Sequence, residues 1–198
     1  MRPLILTLAL LLIASVATAQ RTSPPSKTEL AEITERGRNL AQYDIACWYA
    51  SDAVVATKPE EGLVKRYIAK KEGNTWTVMF GRLNEKSDKF LIAYEAKQGA
   101  TPKEFTVKKH DPAREDTGYF LSAARALDAA LAAFAGAQRS YNVAVLPAAS
   151  NQLYVYAVPA QTEQNVFPLG GDARYLVSAD GLKIVEKRQL HKSIIEFS

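Results

Sequence analysis

Three side chains near the C-terminal end of the sequence have the chemistry of a hydrolytic site. An imidazole oriented by a carboxylate can act as a general base, and His191, Asp172 and Glu163 supply these groups. The three are distant in sequence, and no serine stands in a G-x-S-x-G nucleophile motif. A hydrolase whose site is assembled only by folding is therefore an alternative function, and no catalytic residue is assigned.

The single cysteine, Cys47, is a second candidate for chemistry. It lies in an apolar helical stretch, and no basic residue within one turn favours its thiolate form, so we predict a buried structural thiol. Asp44 is expected to point to the same side of that helix as Cys47 and Ser51. An acid in this position needs a partner, which we expect to be an arginine or lysine from the sheet.

The sequence contains no recognisable metal or cofactor motif. His110 and His191 are its two histidines, and neither stands in an H-x-H, an H-E-x-x-H or a cysteine–histidine pattern. The pair Gly170-Gly171 lacks the lysine and the spacing of a phosphate-binding loop. We therefore expect no metal site and no cofactor.

Residues 159–171 form an unusually long connection between two predicted strands. Connections of this length are uncommon in compact domains and are often functional. This one mixes amide, acidic and aromatic side chains, which suits a polar ligand. The predicted ligand-binding residues, from this segment and from the chain that follows it, are Glu163, Asn165, Phe167, Asp172 and His191. The alternative is a surface connection in which Phe167 merely covers the core.

The positive charge of the chain is small and local. The formal net charge is +4, and residues 64–109 hold eleven Lys or Arg against five acids. This segment either contacts an anionic partner or forms a solvated strand face that protects a sheet edge, and we favour the second interpretation. No nucleic-acid recognition motif accompanies the charge, so we expect no nucleic-acid partner.

Residues 1–19 have the three-part pattern of a secretory signal peptide. Arg2 is followed by an apolar run over residues 4–13 and by the small residues Ala17-Thr18-Ala19. The run is too short for a membrane anchor, and no later stretch is long and apolar enough to span a bilayer. We therefore expect export to the periplasm or the extracellular space. Residues 20–25 are predicted to be a flexible mature N-terminus, and residues 26–198 a single globular domain.

A long first helix is predicted to begin after Ser26, which forms a capping box with Glu29, and to end near Lys58-Pro59. One stripe of this helix runs through Leu30, Ile33, Leu40, Cys47 and Val54. A second runs through Ala41, Ile45, Trp48, Asp52 and Val55. Two apolar stripes predict a helix that is largely buried.

From residue 64 onward, apolar residues recur at every second position. This pattern predicts a three-stranded meander over residues 64–71, 74–82 and 89–96, with a fourth short strand over 104–108. His110-Asp111-Pro112 breaks this pattern. In the middle strand Trp76, Val78 and Phe80 are expected to share one face. In the third strand Phe90, Ile92 and Tyr94 are likewise expected to share one face.

An alanine-rich stretch from about Thr117 to Gly136 predicts a second helix, whose buried stripe is centred on Leu127. Strands are predicted over residues 141–146, 153–158, 173–178 and 182–188, the last two joined by a hairpin turn at Asp180-Gly181. Ile194, Ile195 and Phe197 keep the chain apolar almost to its last residue, so this end must form a last strand or pack against a partner.

These patterns predict an α+β fold with two helices packed on antiparallel β-sheet. The order helix, strands, helix, strands also suggests two related helix-plus-meander units. In outline such a unit resembles the cystatin-like and PepSY-like folds, which carries no function by itself. Because no catalytic motif is present, we expect a non-enzymatic binding or interaction module for a polar or anionic ligand or a protein partner. A structural envelope or assembly protein, docked through its C-terminus, is the second alternative.

Overall fold

The computed structural model describes residues 24–136 and 138–198. The predicted signal peptide, residues 1–19, and the first part of the predicted flexible terminus lie outside these residues. The described elements, in chain order, are α1 (Lys27–Ala56), β1 (Arg66–Glu72), β2 (Thr75–Leu83), β3 (Phe90–Gln98), β4 (Phe105–Asp116), α2 (Tyr119–Ala133), β5 (Tyr141–Pro147), a short 3-10 helix (Ala149–Asn151), β6 (Leu153–Pro159), β7 (Phe167–Gly170), β8 (Ala173–Val177), β9 (Ile184–Gln189) and β10 (Ile194–Phe197).

The strands form two four-stranded antiparallel sheets and one two-stranded ribbon. The first sheet has the order β1-β2-β3-β4, the second has the order β5-β6-β8-β9, and β7 pairs with β10. β1 and β5 lie side by side, so the two sheets adjoin at these strands. The predicted α+β class is confirmed, and a helix followed by a four-stranded meander occurs twice, the second time interrupted by β7.

α1 packs on one face of the first sheet. Its capping box is present, because Ser26 Oγ accepts from the Glu29 backbone N–H at 3.2 Å and Glu29 Oε2 accepts from the Ser26 N–H at 2.7 Å. Tyr43, Cys47 and Val54 are buried on this helix. They share a core cluster with residues of the first and second sheets, Trp76, Val78, Phe80, Ala144, Leu146 and Tyr156.

The prediction that α1 is largely buried is wrong, because Leu30 and Ile33 of the first stripe are exposed and so is the second stripe, through Ala41, Ile45, Trp48, Asp52 and Val55. Trp48 retains 64% of its surface. The sheet covers one side of the helix only, and among the described residues no element packs over the opposite side. Apolar periodicity shows which residues share a face, but burial requires another element to cover that face.

α2 lies between the opposite face of the first sheet and the second sheet. Leu127 is 1% exposed, which confirms the predicted stripe, and it packs with Ile68, Phe90, Ile92, Val145, Val155 and Tyr175. At the start of the helix, Asp116 Oδ2 accepts hydrogen bonds from the backbone N–H groups of Gly118 and Leu121, at 3.1 and 3.0 Å. The helix is shorter than predicted, because Phe134 already has extended backbone geometry.

A β-bulge corrects the predicted face of the third strand. Phe90 and Ile92 belong to the cluster around α2, whereas Tyr94 belongs to the cluster around α1. The register against both neighbouring strands shifts between Ile92 and Tyr94, so Ala93 is an extra residue and the alternation of side chains reverses there. On the partner strand, residues 110–113 form the irregularity, and β4 continues beyond it to Asp116 instead of ending at 108.

Candidate functional site

The long predicted connection and the apolar C-terminus meet in one ribbon. β7 lies inside residues 159–171 and pairs with β10, so that Phe167 faces Phe197 and Leu169 faces Ile195. Residues that face each other in an antiparallel pair, and residues two apart on one strand, lie on the same face. The four side chains are 53, 51, 58 and 59% exposed, respectively. The ribbon therefore presents a contiguous exposed apolar surface, which we call the ribbon face.

The expected last strand is confirmed as β10, but Phe167 does not cover the core. Four residues of the predicted connection, Phe167–Gly170, form a strand rather than a loop. The remaining part holds Glu163 and Asn165, both exposed. The carbonyl of Glu163 accepts from the side-chain amide of Gln161 and the N–H of Val166, at 3.0 and 3.3 Å. In the described part of the chain, the side chains of Glu163 and Asn165 make no hydrogen bond or ion pair.

A sharp corner joins the ribbon to the second sheet. β7 leads into β8, and β9 leads into β10, so the ribbon continues the β8–β9 hairpin after a change of direction. Gly170 and Gly171 form one side of this corner, with φ of 86° and 66°. A Cβ on Gly170 would lie 2.1 Å from the carbonyl oxygen of Ser193. The glycine pair is thus required by the corner.

Asp172 and His191 meet across this corner. His191 Nδ1 lies 2.7 Å from Asp172 Oδ1, and the side chains are 69 and 17% exposed, respectively. The backbone carbonyl of Asp172 accepts from the Leu190 N–H at 2.9 Å and from the Gln189 side-chain amide at 3.2 Å. Two of the residues selected from the sequence are therefore in contact, at the base of the ribbon.

The Asp172–His191 pair supplies part of a hydrolytic site. A carboxylate at Nδ1 orients an imidazole for proton transfer at Nε2. Within the described residues, no hydroxyl or thiol is hydrogen-bonded to His191, and Glu163 does not join the pair. Across the same residues, no group of three or more His, Cys, Asp or Glu side chains is arranged to hold a metal ion.

Arg139 also anchors the ribbon, and sequence reasoning missed this residue. Its Nη1 lies 3.0 Å from Glu196 Oε1 on β10, and its Nη2 donates to the carbonyl of Ala160 at 3.2 Å. Arg139 lies in the short link between α2 and β5, where no motif marks it. Only the tertiary arrangement brings this residue to a strand that begins more than fifty positions later.

Four of the eleven basic residues of the segment 64–109 are engaged in surface ion pairs. Arg66 pairs with Asp128 at 2.9 Å, Lys89 pairs with Glu115 at 2.7 Å, and Lys109 pairs with Glu60. The three acids of these pairs lie outside the segment, so the pairs offset part of its charge excess. Exposed ion pairs of this kind are those expected of a solvated strand surface, the interpretation favoured for residues 64–109.

Cys47 is buried as predicted, whereas Asp44 lacks the expected partner. Burial raises the pKa of the Cys47 thiol well above its ordinary value, with a smaller contribution from Asp44, so the thiol stays protonated. Asp44 makes no hydrogen bond or ion pair with any described residue. Partial burial raises the pKa of its carboxyl group.

Comparison of this chain with protein-family models, with curated proteins and with solved structures finds no match. In the part of the chain that the structure describes, neither helix combines the length and the apolar character needed to cross a membrane. Functional inference therefore depends on the geometry of the chain itself.

Proposed function

We propose that this protein is an exported binding module that recognises a protein partner through the ribbon face. The observation that supports the proposal is the array Phe167, Leu169, Ile195 and Phe197, four large apolar side chains that are each more than half exposed on one surface. Contiguous exposed apolar patches mark interaction surfaces, whereas apolar residues scattered singly do not. Aromatic side chains near the centre of such a patch are typical anchors of protein interfaces.

The shape of the ribbon favours a protein over the small polar ligand that the sequence suggests. Small-molecule sites are concave and enclose most of their ligand, whereas the ribbon face consists of four side chains that project from two strands. Each ribbon strand pairs only with the other among the described residues. The outer edges therefore have free backbone groups to which a partner strand can hydrogen-bond.

Export is supported by the leader pattern of residues 1–19. The proposal expects the mature chain to begin near Gln20 and to act outside the cytoplasm, because Ala17-Thr18-Ala19 has the small-residue pattern of a cleavage site. The intact mass of protein recovered from the exported fraction measures this directly. A mass that still includes residues 1–19 would contradict the cleavage.

The contact between Asp172 and His191 supports the hydrolase alternative, and the ribbon face is also compatible with self-assembly. The hydrolase alternative requires that His191→Ala abolish a measurable hydrolytic activity while the chain remains folded. The assembly alternative requires that the purified chain itself form oligomers, which light scattering detects, and that Phe197→Ser return it to a monomer. The binding proposal expects neither result.

Position-specific photocross-linking tests the binding proposal. A photoreactive amino acid replaces Phe197 on the ribbon face in one variant, and in a matched control it replaces Val185, which is 51% exposed on β9. The proposal expects one defined cross-linked species in the exported fraction from position 197 and none from position 185. Equal cross-linking at both positions, or none at position 197, would overturn it.

A further inference from the structure

A small cavity lies at the seam between the two sheets, apart from the ribbon residues. Its volume is about 190 Å³, and it is lined by α1, β1 and β5 through Asp44, Cys47, Trp48, Ser51, Tyr67 and Asn142. The cavity forms here because β1 and β5 adjoin but do not hydrogen-bond to each other as one continuous sheet. α1 crosses this seam and contributes two polar side chains to the lining, Asp44 and Ser51, which lie about two turns apart.

The polar side chains of the cavity have no partners in the protein. Asp44, Ser51, Tyr67 and Asn142 make no side-chain hydrogen bond or ion pair with any described residue. Ser51 and Tyr67 are half-buried, whereas Asp44 and Asn142 are exposed. Half-buried polar groups are normally hydrogen-bonded, to protein or to ordered water. Four polar side chains directed at one cavity without such bonds leave their hydrogen-bonding capacity available to an occupant.

The charge and the walls of the cavity select the chemistry of that occupant. Asp44 supplies a carboxylate, and no lysine, arginine or histidine lines the cavity. The hydroxyls of Ser51 and Tyr67 and the amide oxygen of Asn142 are further acceptors. Trp48 and Tyr67 add aromatic rings, which attract cations through their π faces. A carboxylate, neutral acceptors and aromatic rings together are complementary to a group that is cationic and has several N–H donors.

We propose that this cavity binds a primary ammonium group carried on a short apolar chain. The volume corresponds to about six water molecules, which fits an alkylammonium of a few carbons. Such a group occurs on free amines and at the end of a lysine side chain. A calcium ion is excluded as the occupant by the donor set, because it takes six to eight oxygen ligands and a single carboxylate lines this cavity.

Trp48 provides a direct measurement of binding. It is one of two tryptophans, and the other, Trp76, is 6% exposed and lies in the core, so a change in fluorescence on addition of a ligand reports on Trp48. We expect n-butylammonium to give a saturable change in the millimolar range. Its neutral analogue, n-butanol, should give no saturable change at the same concentrations. Equal responses to the two compounds would overturn the proposal, because the charge would then have no role.

Asp44→Asn tests the role of the carboxylate, and Asp52→Asn is the matched control. Asp52 lies on the same helix and is exposed, but it lines a different cleft, with Tyr49 and Lys103. Loss of a charged hydrogen bond should raise the dissociation constant for n-butylammonium at least about tenfold in Asp44→Asn. The control should stay within about twofold. An unchanged affinity in Asp44→Asn, with its fold verified by circular dichroism, would contradict the proposal.

A second probe distinguishes the two sources of the ammonium group. Nα-acetyl-lysine methylamide carries the same group on a peptide-like body. If both probes compete for one site, the cavity accepts lysine side chains. If only n-butylammonium binds, it accepts free amines alone, and either result supports the proposed chemistry. Failure of both probes to bind, measured by Trp48 fluorescence and by calorimetry, would overturn it.

Discussion

The imidazole of His191 lies 2.7 Å from the carboxylate of Asp172, and this contact joins the two chain segments that lead from the β8–β9 hairpin into the ribbon. A carboxylate accepts but does not donate, so the proton in this hydrogen bond is on Nδ1 of His191. The pair thus holds the corner at which the ribbon leaves the second sheet. The two side chains that the sequence suggested as catalytic groups therefore help to set the orientation of the ribbon face.

Breaking this contact should loosen the ribbon and leave the sheet intact. His191 is largely exposed, so the pair contributes about 0–1 kcal/mol to global stability. Asp172→Ala should nevertheless increase amide hydrogen exchange in β7 and β10 while exchange in β8 and β9 stays unchanged. Exchange measured by NMR or mass spectrometry decides this. A uniform increase across the second sheet would show that the pair supports the whole fold.

Gly81 should be intolerant of even one methyl group. A Cβ at this position would lie 2.0 Å from the backbone carbonyl oxygen of Leu91, beside the bulge in β3. Gly81→Ala should therefore lower the free energy of unfolding by about 2 kcal/mol or more. The matched control is Gly37→Ala in α1, where nothing lies within 4 Å of the added Cβ.

The control should change stability in the opposite direction, because alanine is favoured over glycine inside a helix by about 0.5–1 kcal/mol. Urea unfolding curves of the two variants measure both effects. A stable Gly81→Ala protein would mean that β2 and β3 approach less closely than the structure shows.

Leu127→Ala should weaken the core around α2. The side chain is 1% exposed, and truncation of a buried leucine costs about 2–5 kcal/mol. Leu182→Ala is the control, since Leu182 is an exposed leucine next to the β8–β9 turn. Its free energy of unfolding should change by less than about 0.5 kcal/mol. Equal midpoints for the two variants in urea would contradict the position of α2 between the sheets.

Removal of the Asp44 charge should stabilise the protein at neutral pH. Partial burial raises the pKa of this carboxyl in the folded state, so its protonated form favours folding and its ionised form opposes it. The unfavourable contribution is absent below the pKa of the unfolded chain and develops as pH rises through the folded-state pKa. Asp44→Asn should therefore be more stable than the parent at pH 7 and equal to it near pH 3, as measured by thermal unfolding. A stability gain that is the same at both pH values would contradict this account.

Local sequence patterns predicted the elements that depend on residues close together in the chain. The stripe through Leu127 and the turn at Asp180-Gly181 depend on residues a few positions apart, and the structure has both the helix and the hairpin. The bulge at Ala93 instead lies opposite Phe80-Gly81 on one neighbouring strand and residues 110–113 on the other. The periodicity of one strand contains no information about an irregularity in another.

The candidate site was only partly predictable for the same reason. Asp172 and His191 were selected by residue type, and folding brought them together. The ribbon was not predicted because it forms by pairing Phe167 with Phe197, thirty positions later in the chain. In addition, Pro168 weakens the strand pattern between Phe167 and Leu169. The sequence marked both the long connection 159–171 and the apolar C-terminus as unusual. It did not show that these two segments pair with each other.

Affinity for the partner is the most direct test of the role of the ribbon face. The double substitution Phe167→Ser with Phe197→Ser should raise the dissociation constant for the partner captured at position 197 at least about 100-fold, because two aromatic anchors are lost. The matched control, Leu182→Ser with Val185→Ser, removes two exposed apolar side chains outside the ribbon and should change it less than about threefold. If both double variants bind like the parent, or lose affinity equally, the ribbon face is not the binding surface.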